Sequence, residues 1–392
     1  MSKYITIFYI FIKKIIFFLY KIINSFIFFF PILILGIILI FKNFRKIKKS
    51  RQIIIQDAGG FAHQVMLHDL LRIENKLTNK ILIQFFEYGR YNQYLTKIFP
   101  TQTIKILTGL QHQKLSIGEY EGGYNFARNI ITTLIKLFFS SNSKIYSIQG
   151  FYKIIKQKYY PNKYISKTSL RDKITACWYY LSSKSKPFTL KKEIIEKFIS
   201  QEFLKLIKNK KIAVIYLRNR QSTHHETKIR NMSIYNYKKT VGFLIKKNYF
   251  VFFVGDFNPN ELKFFSKNSF KKTVYSYNDF IDDKQLFELY IILKANIFIG
   301  NNGGGKTIAH YKKKILVNYF PLNYKPIYSK VLYKQIYKGK NKIESKKNLK
   351  KFQFKFYINK PYSVKENTEK QIYNFVSNNL KSCFNYDKDI LL

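Results

Sequence analysis

The sequence predicts an α/β protein made of two parallel-sheet halves behind an apolar N-terminal segment. Three observations carry that expectation. Short runs rich in Ile, Val and Phe alternate with helical stretches, the pattern of parallel strands joined by crossover helices. The alternation occurs twice, on either side of a turn-forming cluster at Ser182-Ser183-Lys184-Ser185-Lys186-Pro187. Ahead of both, Ile22 to Phe41 runs for 20 residues without a charge. At 392 residues the chain has room for two ordinary domains and an appendage. The expected division is 1–51 for the appendage and its basic flank, 52–186 for a first Rossmann-like domain and 187–392 for a second.

The uncharged run, IINSFIFFFPILILGIILIF, has the length a helix needs to cross a hydrocarbon core of about 30 Å. Pro31 and Gly36 interrupt it, which a membrane helix tolerates better than a soluble one. The basic stretch KNFRKIKKSR follows. Positive residues beside a span favour the cytoplasmic side, so a membrane-anchored chain with everything after Arg51 in the cytoplasm is expected. Residues 4–20 are apolar too, but Lys13 and Lys14 fall within them. That suits an interfacial helix or a snorkelling second span. A re-entrant hairpin bent at Pro31 gives the same placement.

Beyond Arg51, RQIIIQ reads as a strand, DAGGF as a turn and AHQVMLHDLLRI as an amphipathic helix. Two further strands, ILIQFFEYG and TIKILTG, complete what is legible in the first half. Residues 110–185 are Tyr-rich and read as mostly helical, without a motif. The second half offers strands at KIAVIYLRN, NYFVFFVGD, ANIFIG and KILVNYF, with DDKQLFELYIILKA as a helix among them. Asn367-Thr368 reads as the N-cap of a helix ending near Leu380. Ligands of open parallel sheets bind beyond the carboxyl ends of strands. Chemistry is therefore expected in the loops Asp57 to His63, Arg218 to Arg220, Gly255-Asp256 and Gly300 to Thr307.

The formal charge of +48, from 70 Lys and Arg against 22 Asp and Glu, raises nucleic-acid binding as a class. The lysines are spread along the whole chain, however, and the richness in Lys, Ile, Asn, Phe and Tyr is that of an AT-rich coding sequence. Attraction to anionic lipid of the inner membrane is the expected consequence, and no specific nucleic acid is expected. Two cysteines, Cys177 and Cys383, lie far apart, which implies neither a disulfide framework nor a zinc site.

With these loops identified, the second half resembles a family of bacterial GT-B glycosyltransferases linked to surface polysaccharide synthesis. That family shows a strand ending in H-x-R-D, then R-N, a strand ending in G-D, F-I-G with a small-residue loop, and N-T-x-x-x-I. The corresponding residues are Tyr216-Leu217-Arg218-Asn219, Arg230-Asn231, Gly255-Asp256, Phe298-Ile299-Gly300 and Asn367-Thr368 with Ile372. Gly59-Gly60-Phe61-Ala62-His63 is similar to the family's turn in the first half. Tyr216 and Asn219 stand where the family has His and Asp, while the arginine is retained. The resemblance implies a nucleotide-sugar donor as substrate, no cofactor, and a glycan or lipid-linked acceptor. It also implies a C-terminal helix packed back across the two domains.

Within that reading, Arg218 is the expected phosphate ligand, because guanidinium pairs bidentately with phosphate oxygens. Arg230 and Asp256 join it as donor-binding residues through their motifs. Gly300, Asn302, Gly303, Gly304, Gly305, Lys306 and Thr307 form a loop whose free amides, at a helix N-terminus, suit a diphosphate. The same string matches G-x-x-x-x-G-K-[ST], so a P-loop NTPase is a rival. That enzyme also needs a strand ending in Asp to hold magnesium, and KILVNYFPLN has no acid. A basic membrane-surface or nucleic-acid-binding protein without catalysis is the other alternative. His63 is a candidate general base for the acceptor hydroxyl or, equally, a cap of the following helix; Asp57 is a second catalytic candidate. Asp387-Lys388-Asp389, the lone D-x-D, sits in the last residues, so metal independence is expected.

Overall fold

Ile53, Ile54 and Ile55 are buried at every successive position, as a strand covered on both faces requires. They lie in β1 (Gln52–Asp57), the inner strand of a four-stranded sheet with β2 (Lys80–Tyr88), β3 (Gln102–Leu110) and β4 (Lys144–Ser147). The order is β3-β2-β1-β4 and every pairing is parallel. The computed structural model describes residues 30–57, 61–74, 79–88, 102–110, 124–159, 174, 177–178, 181–182, 185, 189–190, 192–218, 231–266, 273–276, 280, 283–301, 305–309, 313–319, 329–338, 341–343 and 362–380.

One face of this first sheet is covered by the helix Tyr124–Phe139 and, against expectation, by the C-terminal half of the uncharged run. Residues 30–42 are helical, and Ile32 and Ile40 join Ile131, Ile135 and Phe139 over Ile53, Ile55, Ile83 and Ile106. Gly36, expected as a break in a membrane helix, is instead a point of close approach: a methyl group there would overlap the Ile131 side chain. The basic flank is ordered as well. A short helix, Phe44–Lys48, ends in Ser50, whose carbonyl accepts from Ser143 Oγ at 2.6 Å. Among the described residues no helix is long and apolar enough to cross a membrane. This corrects the expected free-standing span for residues 30–41; residues 22–29 and 4–20 lie outside the described residues.

The second sheet runs β10-β9-β8-β5-β6-β7, again all parallel. Its strands are β5 (Lys211–Arg218), β6 (Tyr249–Asp256), β7 (Val274–Tyr275), β8 (Ile297–Gly300), β9 (Lys313–Tyr319) and β10 (Ser329–Tyr333). Counted from β5, this is the doubly wound order 3-2-1-4-5-6 read from the far edge. The expected α/β class with two Rossmann-like sheets is therefore observed. Helices at Lys238–Lys246 and Lys284–Lys294 cover it, the latter capped by Asp283, whose carboxylate accepts from Leu286 N at 3.1 Å. An aromatic cluster fills the space beside β6, with Phe203 lying 5.8 Å from Phe287 and 6.0 Å from Phe252 between ring centroids. Periodicity missed the small antiparallel sheet of β11 (Gln335–Lys338), β12 (Asn341–Ile343) and β13 (Tyr362–Lys365), whose strands are short and lysine-rich.

The compact units divide at Ile154/Ile155, with Val65–Leu70 grouping with the later one. The described strands of the first sheet end by Ser147 and those of the second begin at Lys211. The helix Glu369–Leu380 starts with a capping box: Thr368 N donates to Gln371 Oε1 at 2.9 Å, and Gln371 N returns to Thr368 Oγ1 at 3.3 Å. Its buried side chains, Ile372 and Val376, enter the core of the second unit beside Val241 and Leu244.

Ahead of that cap, Asn367 ties three segments together. Its Oδ1 accepts from Asn318 N at 2.9 Å, its own N–H donates to Asn318 Oδ1, and its Nδ2 donates to the Tyr333 carbonyl at 3.0 Å. Both asparagines are essentially fully buried. Asn367→Ala strands a buried donor and a carbonyl, so a loss of about 2–4 kcal/mol is expected in urea unfolding; a loss under about 0.5 kcal/mol would show that this cross-tie is dispensable.

Candidate functional site

At the carboxyl edge of the second sheet, three motif segments from distant parts of the sequence stand side by side. Arg218 pairs in register with Asp256, Leu217 with Gly255, and Tyr216 with Gly300. The junction of β5 and β8 is where successive crossovers leave in opposite directions, the switch point at which parallel sheets open a crevice.

Gly255 shows why β6 ends in Gly-Asp. Its φ of 101° lies in the region that side chains rarely adopt, and a Cβ there would overlap the Leu217 carbonyl oxygen. Its N–H donates to Glu288 Oε1 at 2.8 Å. Glu288, the one acid on the helix Lys284–Lys294, was not singled out from the sequence. A carboxylate in an otherwise apolar helix, KQLFELYIILK, is the signal that could have found it. The adjacent Lys284 pairs with it at 3.9 Å at the surface, which adds little.

Tyr216 is a packing residue. Only 8% of it is exposed, and its ring lies 6.0 Å from that of Phe298. It also fills the space above Gly305, where a Cβ would overlap the ring; a Cβ on Gly300 would overlap the Phe298 ring first and meet Tyr216 Cβ at 3.1 Å. Gly305 is thus required by the tyrosine. The helix it opens is a single turn, Gly305–Ile308, and Thr307 and Asn301 are buried. A one-turn helix carries little of the macrodipole on which the expected anion site and the P-loop rival both depend. Asn302, Gly303 and Gly304 lie outside the described residues, and Lys306 falls within that turn.

Arg218 is half-buried at the end of β5, with its Nε out of solvent contact. Its carbonyl accepts from Met232 N at 3.0 Å, which sets Met232 against the end of β5. Asn219, Arg220, His224, His225 and Arg230 lie outside the described residues. Lys334 holds the residue before Met232: its Nζ donates to the Asn231 carbonyl, and burial pushes its ammonium down to about 8, although Glu366 nearby opposes the shift. Asp256 is partly exposed beside Arg218.

In the first unit, Asp57 is the last residue of β1. His63 lies in the first turn of the helix Phe61–Glu74, and not in a loop ahead of it as expected. Among the described residues no group of three His, Cys, Asp or Glu side chains is arranged to hold a metal ion. Cys177 is buried, with its thiol raised to about 11 by desolvation, which makes it a core residue.

No protein-family model matches the chain, and no curated protein sequence matches it either. Among solved structures it is similar to a glycosyl transferase family 9 protein from Veillonella parvula, at 11% identity and a TM-score of 0.46, over 85% of this chain and 98% of that one. It is also similar to E. coli ADP-heptose lps heptosyltransferase II, at 9% identity and a TM-score of 0.45, over 83% and 98% of the two chains. S. aureus MnaA with UDP matches at 8% identity and a TM-score of 0.36, over 87% and 91%. At identities this low, the chain's own residues have to carry any functional assignment.

Two measurements test this geometry. Gly305→Ala should lower stability by about 1–3 kcal/mol, and much of that loss should vanish in the Gly305→Ala/Tyr216→Ala background. Additive losses in the double-mutant cycle would mean that the ring does not set the glycine. For Lys334, the unfolded chain holds a proton between pH 8 and 10.5 that the folded chain has released. Stability therefore rises with pH across that window. Denaturant titrations at pH 7.5 and 9.5 should show wild type gaining relative to Lys334→Met as pH increases; a constant difference would place the amine in solvent.

Proposed function

We propose that the chain is a GT-B glycosyltransferase. It transfers a sugar from a nucleotide-sugar donor to a surface-glycan or lipid-linked acceptor, on the cytoplasmic side of the membrane. The observation that supports this reading is the convergence of Arg218, Asp256 and Gly300 on adjoining strand ends at the switch point of a doubly wound sheet. These residues belong to three motifs of the resemblance and are far apart in sequence.

Each has a role that its chemistry suits. Arg218 presents donors to the diphosphate, neutralising the charge that develops as the nucleotide departs. Asp256, at the end of the second strand of the sheet, is where an acidic residue meets ribose hydroxyls in dinucleotide-binding relatives of this topology. Arg230, through its motif in the resemblance, is a further candidate ligand for the donor phosphates. Tyr216 is committed to packing, and His63 and Asp57 are the candidate groups for proton transfer. The donor phosphates are neutralised by these protein groups without a metal.

The test is donor binding. Arg218→Ala should bind nucleoside diphosphates one to two decades more weakly in calorimetry, corresponding to about 1.5–3 kcal/mol for a charge-assisted contact, with an unchanged unfolding midpoint. Undiminished binding by this variant would remove Arg218 from the site. A magnesium-dependent nucleotide hydrolysis lost in Lys306→Ala would overturn the transferase reading itself.

A further inference from the structure

The helix at residues 30–42 is two-faced. Ile32, Gly36 and Ile40, four residues apart, press onto the first sheet and its neighbouring helix. The opposite face exposes Phe30, Ile34, Ile38 and Phe41, each more than half accessible. The helix Tyr124–Phe139 extends this surface with Leu137, 72% exposed, and Phe138, whose ring lies 6.5 Å from that of Phe41. Large contiguous apolar patches of this kind mark an interaction site.

Charge decides what the site fits. Neither 30–56 nor 124–159 contains a single Asp or Glu. Lys42 and Lys136 on the two helices, and Arg45, Lys46, Lys48 and Lys49 on and after the short helix Phe44–Lys48 that follows, are all exposed. A second copy of the chain docked symmetrically would set basic rim against basic rim. A nucleic acid has no use for phenylalanine and isoleucine side chains projecting from a helix flank. An anionic bilayer meets both features, with acyl chains for the apolar face and headgroups for the rim.

We propose that this two-helix face is a monotopic seat for an anionic lipid surface, with the helix 30–42 lying in the interface while its other side remains part of the first domain's core. The proposal stands apart from the transferase reading and survives or fails without it. Its physical consequence is that the first sheet is held at a fixed height and orientation on the membrane. A flexible tether would leave it free to turn.

The experiment places a reporter on the face in the full-length protein. Ile38→Trp, and separately Leu137→Trp, are mixed with vesicles of phosphatidylglycerol and phosphatidylethanolamine or of phosphatidylcholine alone. Acyl-brominated lipid serves as a quencher. Trp178, 2% exposed, supplies a background subtracted with wild type. Both reporters should shift to the blue and be quenched at least twofold on phosphatidylglycerol vesicles, weakly on phosphatidylcholine, and less as salt rises. Adding Ile34→Asp and Phe41→Asp should reduce quenching severalfold. Three outcomes would overturn the proposal. Vesicle-bound protein with unquenched reporters means that the face points away from lipid. Reporters already blue-shifted without vesicles mean that residues 1–29 or a second copy cover it. Equal quenching on both lipids removes the role of the basic rim. Nucleoside diphosphate binding by the same variants, read by calorimetry, reports on the transferase site separately.

Discussion

A parallel sheet leaves neither face to water, because each crossover connection lands on one side or the other. Both sheets here are wholly parallel, and most of the molecule's arrangement follows from covering them. The second sheet is covered by its own crossover helices and by the C-terminal helix, whose Ile372 and Val376 reach the same core as β5 and β6. The first recruits a helix from ahead of β1. That recruitment explains why Gly36 lies against Ile131 and why the basic flank is bound to the sheet by Ser50 and Ser143. Burial also draws in polar groups, which then need partners. Gln56 and Gln84 occupy the same register on neighbouring strands, and Gln84 Nε2 donates to Gln56 Oε1 at 3.1 Å.

The same constraint shapes the strand ends. Where two buried strands terminate together, side-chain volume has nowhere to go, and glycine marks the places of closest approach. Gly255 avoids the Leu217 carbonyl, Gly300 makes room for the Phe298 ring, and Gly305 makes room for Tyr216. Within the glycine-rich string 300–307, Gly300 and Gly305 answer to packing, and Gly303 and Gly304 lie outside the described residues. Tyr216, which stands where the resembled family has histidine, is a buried packing residue, while Arg218 and Asp256 end adjoining strands.

Much of this was legible in the residues. RQIIIQ, ILIQFFEYG, KIAVIYLRN and NYFVFFVGD announce buried strands because β-branched and aromatic runs of that length have few other uses in a polar, lysine-rich chain. Asn367-Thr368 announces a helix start, and of the two it is Thr368 whose hydroxyl accepts from a first-turn amide, that of Gln371. The alternation of these elements determined the α/β class and placed Arg218, Asp256 and Gly300 at strand ends. The lysine-rich strands β11 to β13 could not be read, because their pairing comes from partners and not from apolar alternation.

Other features were decided only by tertiary contact. A run of 20 uncharged residues is equally compatible with lipid and with a protein core, since both present hydrocarbon. Ile32 and Ile40 were assigned to the core, and Phe30 and Phe41 to the outside, by the sheet they met. Likewise, a Gly-x-x-x-x-Gly-Lys-Thr string states which backbone conformations are permitted, but the ring of Tyr216, 89 residues earlier in the chain by the numbering of Gly305, decides what its last glycine is for. Local composition determined which elements form; the side chains that face one another across the sheet determined what each element does.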